Sequence, residues 1–356
     1  MHIEHVNFAK GFRGGERQTL NLMEGLAGFG VQQTLVCHPK SELRARAESI
    51  GIQTRLIRQP MWGHLQASRA DIIHVHEARG AYWAAIEHLL RGTPYLITRR
   101  IPNPVSGNAI NNFVYRRAVE LVGVSRDVSA RLNDQTGHSV HTILDSCTVH
   151  AGEAQRIEAI KVELGGGPGC GPIVGHVGAL QDHHKGQSIL IAAFQLLAES
   201  YPKARLVLLG EGPDKGAFQK QARNDPRIVF AGFQEDVGSW IAAMDVFAFP
   251  SREEGLGSSV LDAMLLGVPV VSSTVGGLPE LIGDEQRGLG VASTDPLQWV
   301  LAIRRMLADA ALRERLRAAA LSFAQAHDIK AMSKQYLDIY QKIILAKTSS
   351  RSAASV

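Results

Sequence analysis

Glu254 and Asp262 stand with seven residues between them in PSREEGLGSSVLDAM, and the segment runs on through GVPVVSSTVGGLPELI. A carboxylate accepts hydrogen bonds and donates none, so two of them beside glycine loops suit sugar hydroxyls rather than bare phosphate. The loops themselves suit an anion. Gly255 and Gly257, and farther on Gly276 and Gly277, each follow a short apolar run and precede a segment that starts a helix. Backbone N–H groups and helix starts are thereby brought to the carboxyl ends of strands. A pyrophosphate carrying hydroxyls on both sides fits the two features together. The competing reading is that Glu254 charges a helix start and the glycines only shape turns.

Those groups need elements to hold them. Residues 245–249 and 268–272 are apolar runs of strand length, the first closed by Pro250. Between them Leu261, Ala263, Met264 and Leu265 sit at helical spacing, and Gly267 with Pro269 stops the helix. The order strand, glycine loop, helix recurs. Residues 3–8 lead to Gly14 and Gly15, 172–180 to Lys185 and Gly186, 205–209 to Gly210 and Gly212, and 227–231 to Gly232. Further strands are expected at 33–37, 53–57, 72–76, 95–98 and 121–124, with helices between, and helices at 297–307, 312–326 and 329–345. Strands alternating with helices predict parallel sheets in an α/β fold.

Composition bounds the remaining possibilities. The 356 residues suffice for two domains, and 45% hydrophobic with 20% charged residues is a globular balance. A formal net charge of +4 is too weak to argue for nucleic acid and is compatible with a nucleotide or an anionic membrane surface. Cys37, Cys147 and Cys170 are few and widely spaced, which points to a reducing compartment and away from a disulfide frame or zinc site. No apolar stretch reaches the ~18 residues of a membrane-spanning helix, and the amino-terminal residues lack the apolar core of a secretory leader, so neither is expected. His183 and His184 have no carboxylate at metal-ligand spacing, and no metal is expected.

PSREEGLGSSVLDAM resembles the retaining glycosyltransferases of family 4, which have the two-domain GT-B fold and two acidic residues with seven residues between them; GGLPELI resembles their second phosphate loop. The resemblance implies that Glu254 contacts the donor sugar and Asp262 the nucleotide ribose, with Asp262 standing where the family usually has glutamate. VGALQDHHKGQ resembles the opening of the family's nucleotide-binding domain, which places Lys185 on the donor diphosphate. Ala179 stands where the family has a second cation, and His183, His184, Arg252 or an arginine of the first half are the candidates to replace it. Gly178, Gly210 and Gly212 are implied beneath the nucleotide, and Gly255, Leu256, Gly257, Ser258, Gly276, Gly277 and Glu280 on the donor. In the first half the resemblance puts Gly14, Gly15 and Glu16 on the acceptor cleft, where an ordinary turn and a charged helix start would also explain them. DIIHVHEARG puts His76 there too. The family's histidine at the end of the next strand is absent. Arg99 and Arg100 stand in its place and, because arginine does not release its proton, suit an anionic acceptor group. Ser125 resembles the serine that opens the following helix, for which capping is sufficient reason.

The whole is read as a GT-B chain: two Rossmann-like domains with parallel sheets facing across a cleft. Residues 1–165 would bind the acceptor and 166–330 the nucleotide sugar, a helix at 331–346 would cross back to the first domain, and 347–356 would be a disordered tail. Gly165, Gly166, Gly167, Pro168, Gly169 and Gly171 mark the boundary. The implied activity is a retaining, metal-independent and cofactor-free glycosyl transfer to a glycan or lipid-linked glycan in polysaccharide or lipopolysaccharide biosynthesis. It would take place in the cytoplasm, with peripheral contact to an anionic inner-membrane surface. The arginines of 304–317 would serve such a contact or simply solvate a helix face. The alternatives are a nucleotide-binding scaffold and a nucleotide-sugar epimerase, the latter needing acid–base groups that the sequence does not offer.

Overall fold

The computed structural model describes residues 1–58, 63–64, 70–105, 107–147, 152–165 and 170–353. The chain divides into two compact units, one of residues 1–146 with 327–356 and one of residues 147–326.

In the first unit the strands are β1 (His2–Asn7), β2 (Gln32–Cys37), β3 (Gln53–Leu56), β4 (Ile72–Val75), β5 (Tyr95–Arg99), β6 (Glu120–Gly123) and β7 (Val140–Thr142). They lie in the order β3-β2-β1-β4-β5-β6-β7, every pairing parallel. Parallel neighbours need long crossovers. Helices α1 (Gly14–Ala27), α2 (Glu42–Ser49), α3 (Ala78–Arg91), α4 (Ala109–Arg117) and α5 (Arg126–Thr136) supply them. Both sheet faces are covered, which is why the strands are apolar on both sides: Ile3, Ile72, Leu96 and Val122 enter one core and Val6, Val75, Ile97 and Leu121 the other. The order reverses at β1, so the loops leaving β1 and β4 part to opposite faces and open a crevice at the carboxyl ends. Ser125 caps α5 as expected, its hydroxyl accepting from Val128 N at 3.2 Å.

The second unit begins with α6 (Ala154–Glu163) and continues through β8 (Ile173–Val177), α7 (Asp182–Lys185), α8 (Gln187–Ser200), β9 (Arg205–Leu209), α9 (Lys215–Gln221), β10 (Ile228–Gly232) and α10 (Val237–Ala242). Then come β11 (Val246–Phe249), α11 (Ser258–Leu265), β12 (Val270–Ser273), α12 (Leu278–Ile282), β13 (Leu289–Val291), α13 (Pro296–Ala308) and α14 (Ala310–Gln325). The sheet order is β10-β9-β8-β11-β12-β13, all parallel, with its reversal at β8. Phe194, Leu206, Leu208, Val246, Ala248 and Trp299 build its main core.

One boundary and the tail differ from the sequence reading. Residues 147–165, expected as the end of the first domain, go with the second unit because α6 packs on α10 and Arg156 reaches Asp236 at 3.9 Å. The helix is weakly patterned because Ile160 is its one fully buried residue. Of the glycine run that was to mark the boundary, residues 166–169 lie outside the described residues. At the other end α15 (Ile329–Ala353) belongs to the first unit and lies on α1, so closely that a Cβ on Gly25 would come within 2.1 Å of Ser333 Oγ. The expected disordered tail is helical through Ala353. Thr348 and Ser349 turn their hydroxyls back onto the Leu345 carbonyl, which satisfies polar side chains inside a helix. Residues 354–356 lie outside the described residues. No helix among the described residues is long and apolar enough to cross a membrane.

Candidate functional site

In the second unit the loops after β8, β9, β11 and β12 come to one edge of the sheet. The first two are stacked backbone on backbone: Gly178 N bonds Leu209 O and Leu180 N bonds Glu211 O, each at 3.0 Å. Only glycine fits this contact. A Cβ on Gly210, whose φ is +128°, would lie 2.1 Å from Gly178 O, and one on Gly212 would lie 2.3 Å from Leu180 O. Gly210→Ala is therefore expected to cost about 3 kcal/mol in stability, since backbone must move and the dihedral is strained. Urea unfolding measures it, and a loss below about 1 kcal/mol would show that the loops can part. The β11 and β12 loops meet in the same way. A Cβ on Gly276 would fall 1.9 Å from Glu254 O, and Ser273 Oγ donates to Ser251 O at 2.7 Å.

The β8 turn and the β11 loop also touch, because Gly186 leaves room for Pro250 O and Arg252 N bonds His184 O at 2.8 Å. Across that contact Lys185 Nζ makes an ion pair with Glu254 Oε2, and the ammonium lies 5.2 Å from the centroid of the Phe249 ring. The two side chains keep 23% and 15% of their surface exposed, so a ligand can reach them. Ser251 Oγ stands 3.4 Å from the same carboxylate oxygen. The two residues expected to act on the donor are thus brought into contact. Beside them Gly257, at φ +95°, starts α11, whose first N–H groups carry no side-chain cap and face the loop end. Ser258 opens that helix half-buried and Asp262, 7% exposed, follows one turn later; Gly255 and Leu256 are buried and pack the loop.

The second glycine loop departs from expectation. It leads into α12, a helix of five residues, too short to aim a strong dipole at phosphate. Gly276 admits the Glu254 main chain; Gly277 is buried and Glu280 half-buried. Of the candidates for a second cation, Arg252 lies on the α7 turn: its Nε donates to Asp182 O at 3.2 Å and its Nη2 is 3.3 Å from Asp182 Oδ2. His183 and His184 meet edge to face with ring centroids 3.8 Å apart, and His184 Nδ1 is 3.3 Å from Glu253. Sequence reasoning missed His176. It is fully buried under Gly178, bonded through Nδ1 to Ala248 O at 3.0 Å, and burial pulls its pKa down to about 4. The signal was a histidine in the middle of the apolar strand IVGHV.

The first unit brings a different chemistry to its carboxyl edge. A Cβ on Gly15 would touch Arg100 Cδ at 3.9 Å, so the start of α1 lies beside this arginine. Arg100 Nε is 3.2 Å from Asp145 Oδ1 and Nη1 is 3.3 Å from His76 Nδ1, while the buried Nη2 has no partner among the described residues. Because a guanidinium only donates, His76 carries its proton on Nε2 and gives it to His5 Nδ1 at 2.9 Å. His5 in turn donates from Nε2 to Gln33 Oε1 at 3.0 Å, and Gln33 Nε2 to Met23 O at 2.9 Å. His74 is held by Tyr340 at 2.7 Å and Thr98 at 2.8 Å. Burial pulls all three histidines below their ordinary pKa, His5 to about 3. Three imidazoles this close have metal-ligand spacing. All six ring nitrogens, however, already have protein partners, and a guanidinium stands against the cluster, an arrangement that favours neutral rings over a bound cation.

The other acceptor candidates separate. Arg99 turns away from Arg100 and binds Tyr115 OH at 3.2 Å and the Asn103 carbonyl. Glu16 accepts from Arg13 N at 3.0 Å and so closes the first turn of α1; Gly14 is exposed at that start.

Two family models match the chain, one described as "Glycosyl transferases group 1" over residues 171–309 and one as "Glycosyl transferase 4-like domain" over residues 13–159. The 2-deoxystreptamine glucosyltransferase of Streptomyces kanamyceticus is 27% identical over 83% of this chain and 89% of its own. The lipopolysaccharide core biosynthesis glycosyltransferase LpsE of Rhizobium meliloti is 27% identical over 89% of this chain and 92% of its own. Among solved structures, Anabaena HepE in complex with UDP and glucose superposes with a TM-score of 0.84 at 19% identity, covering 96% of this chain and all of that one. That is a likeness of fold.

Proposed function

The chain belongs to the group 1 glycosyltransferases of GT-B fold, and on that premise we propose that it moves a sugar from a nucleotide-diphosphate sugar to a glycan or lipid-linked glycan, with retention and without a metal ion. The observation that carries the reading is the Lys185–Glu254 pair at the edge where four loops of the second unit meet. As the bond from the sugar C1 to the diphosphate breaks, negative charge grows on the leaving oxygens. The Lys185 ammonium and the uncapped N–H groups of α11 offset it. The acceptor oxygen bonds C1 on the face that the diphosphate leaves, and its proton passes to a diphosphate oxygen. Glu254 accepts from the sugar hydroxyls, Asp262 from the ribose, and Arg252 supplies the cation that Ala179 cannot.

The acceptor is assigned to the first unit. Arg100 Nη2, buried beside the start of α1 and without a partner among the described residues, is the donor that a phosphate or carboxylate on the acceptor would take. LpsE supports a lipopolysaccharide or related envelope glycan, and a reaction on the cytoplasmic side, where nucleotide sugars are made. HepE, which holds UDP, makes UDP the first nucleotide to try.

Thermal unfolding with UDP, GDP and ADP and their sugar conjugates, with and without EDTA, tests the donor. A nucleotide at a hundred times its Kd adds about 2.7 kcal/mol. A shift with one nucleotide that survives EDTA is expected; a shift that EDTA abolishes would remove the metal-independent reading, and no shift with any nucleotide would remove the transferase reading.

A further inference from the structure

We infer that helices α3 and α4 of the first unit form a docking face for an anionic lipid bilayer. Tyr82, Ile86, Leu89 and Leu90 recur at helical spacing on α3 and Ile110 and Phe113 on α4, and all six are exposed, Leu90 by 62% and Ile110 by 64%. The Tyr82 hydroxyl bonds Asn111 Oδ1, so the two helices lie side by side and present these residues together. An apolar area of that kind on a charged chain marks an interface rather than a solvent face.

The charges select the occupant. From Ala78 to Val119 the chain carries six arginines and one carboxylate, Glu87, which is buried between His64 and Arg91. Arg79, Arg116 and Arg117 are exposed at the ends of the two helices, and the Arg117 guanidinium lies over the Phe113 ring at 4.8 Å. Two helices with apolar side chains outward and arginines around them match the headgroup boundary of an anionic leaflet. A second copy of this chain would set arginine against arginine, which opposes self-association. Three of the five arginines at 304–317, which the sequence offered for a membrane contact, are committed elsewhere. Arg305 pairs with Glu285 at 2.9 Å, Arg317 with Glu314 at 2.7 Å, and Arg313 closes the last carbonyls of α13. The inference deepens the proposed transfer, on which it rests for its purpose: a lipid-linked acceptor would be met at its own surface.

Co-sedimentation of the full chain with vesicles tests it, using phosphatidylcholine alone and phosphatidylcholine with phosphatidylglycerol. Binding is expected to the second kind only and to weaken at high salt. Arg116→Gln with Arg117→Gln should lower the partition at least about tenfold, and Leu89→Asp with Leu90→Asp should abolish it, while Arg304→Gln with Arg305→Gln changes nothing. Circular dichroism and nucleotide binding of each variant establish that it is folded. Equal binding to both vesicle kinds, no binding to either, sensitivity only to the Arg304 and Arg305 changes, or dimerisation through α3 and α4 would each overturn the inference. Because the readout does not involve transfer, a parent chain that binds nucleotide but neither kind of vesicle sinks the docking face alone, and one that binds the anionic vesicles but no nucleotide sinks the transferase alone.

Discussion

Glu254→Gln is expected to slow transfer roughly 10²- to 10³-fold while leaving nucleotide affinity within about tenfold of the parent. The main chain of Glu254 cannot drift, because Gly276 packs against its carbonyl and Ser273 fixes the neighbouring Ser251 carbonyl. What the substitution removes is charge at a held position. On the proposed reading that charge does two things: it would accept from donor hydroxyls, and it keeps the Lys185 ammonium poised between itself and the Phe249 ring. Lys185→Met should slow transfer by a similar factor and also weaken nucleotide binding about tenfold, since it deletes a cation from the diphosphate. The two act as one device, so the double variant should be about as slow as the worse single one. Losses that multiply in the double variant, or a Glu254→Gln enzyme within about threefold of the parent, would sink the assignment.

The proposed donor site was legible in the sequence because each of its parts is local. A short apolar strand, a glycine loop and a helix start follow one another within about 20 residues, and glycines are readable wherever backbone meets backbone, as Gly210 and Gly276 show. What the letters did not give was the contact of Lys185 with Glu254, since it depends on Gly186 letting the β11 loop approach. They also gave no sign that Gly276 admits the Glu254 main chain, because that contact depends on how the β11 and β12 loops meet.

The first unit was less legible for the opposite reason. His5, His74 and His76 meet only because β1 and β4, far apart in sequence, are neighbours in register, with His5 opposite His74. Tyr336 and Tyr340 reach the same cluster from the last helix. A histidine in an apolar strand gives no sign of which strand will lie beside it. Arg99 and Arg100 looked alike in sequence, yet consecutive residues at a strand end point to opposite faces, which sends one to Tyr115 and the other to Asp145 and His76.

The buried histidines make both units acid-sensitive in a window that can be named. In the unfolded chain each histidine titrates near 6.5, whereas burial holds His5 at about 3 and His176 at about 4, and His74 and His76 are lowered in the same direction. Below pH 6.5 the unfolded chain therefore takes up protons that the folded chain refuses, and stability falls as the pH drops from 6.5 towards 4; above 6.5 these groups contribute no pH dependence. At pH 5 the loss is about 2 kcal/mol for His5 and about 2 kcal/mol for His176, one in each unit. Carboxylates held below their ordinary range, such as Asp225 beside Arg227, lose their contribution only below about pH 5, at or beyond the acid end of this comparison. Urea unfolding at pH 7.5 and pH 5 should show the drop. His176→Gln, which keeps a polar partner for Ala248 O but cannot take up a proton, should shrink it by the share of the second unit and leave that of the first. Equal stability at the two pH values would mean that the folded chain charges these rings, and with that the directed chain from Arg100 through His76 and His5 to Gln33 could not stand as drawn.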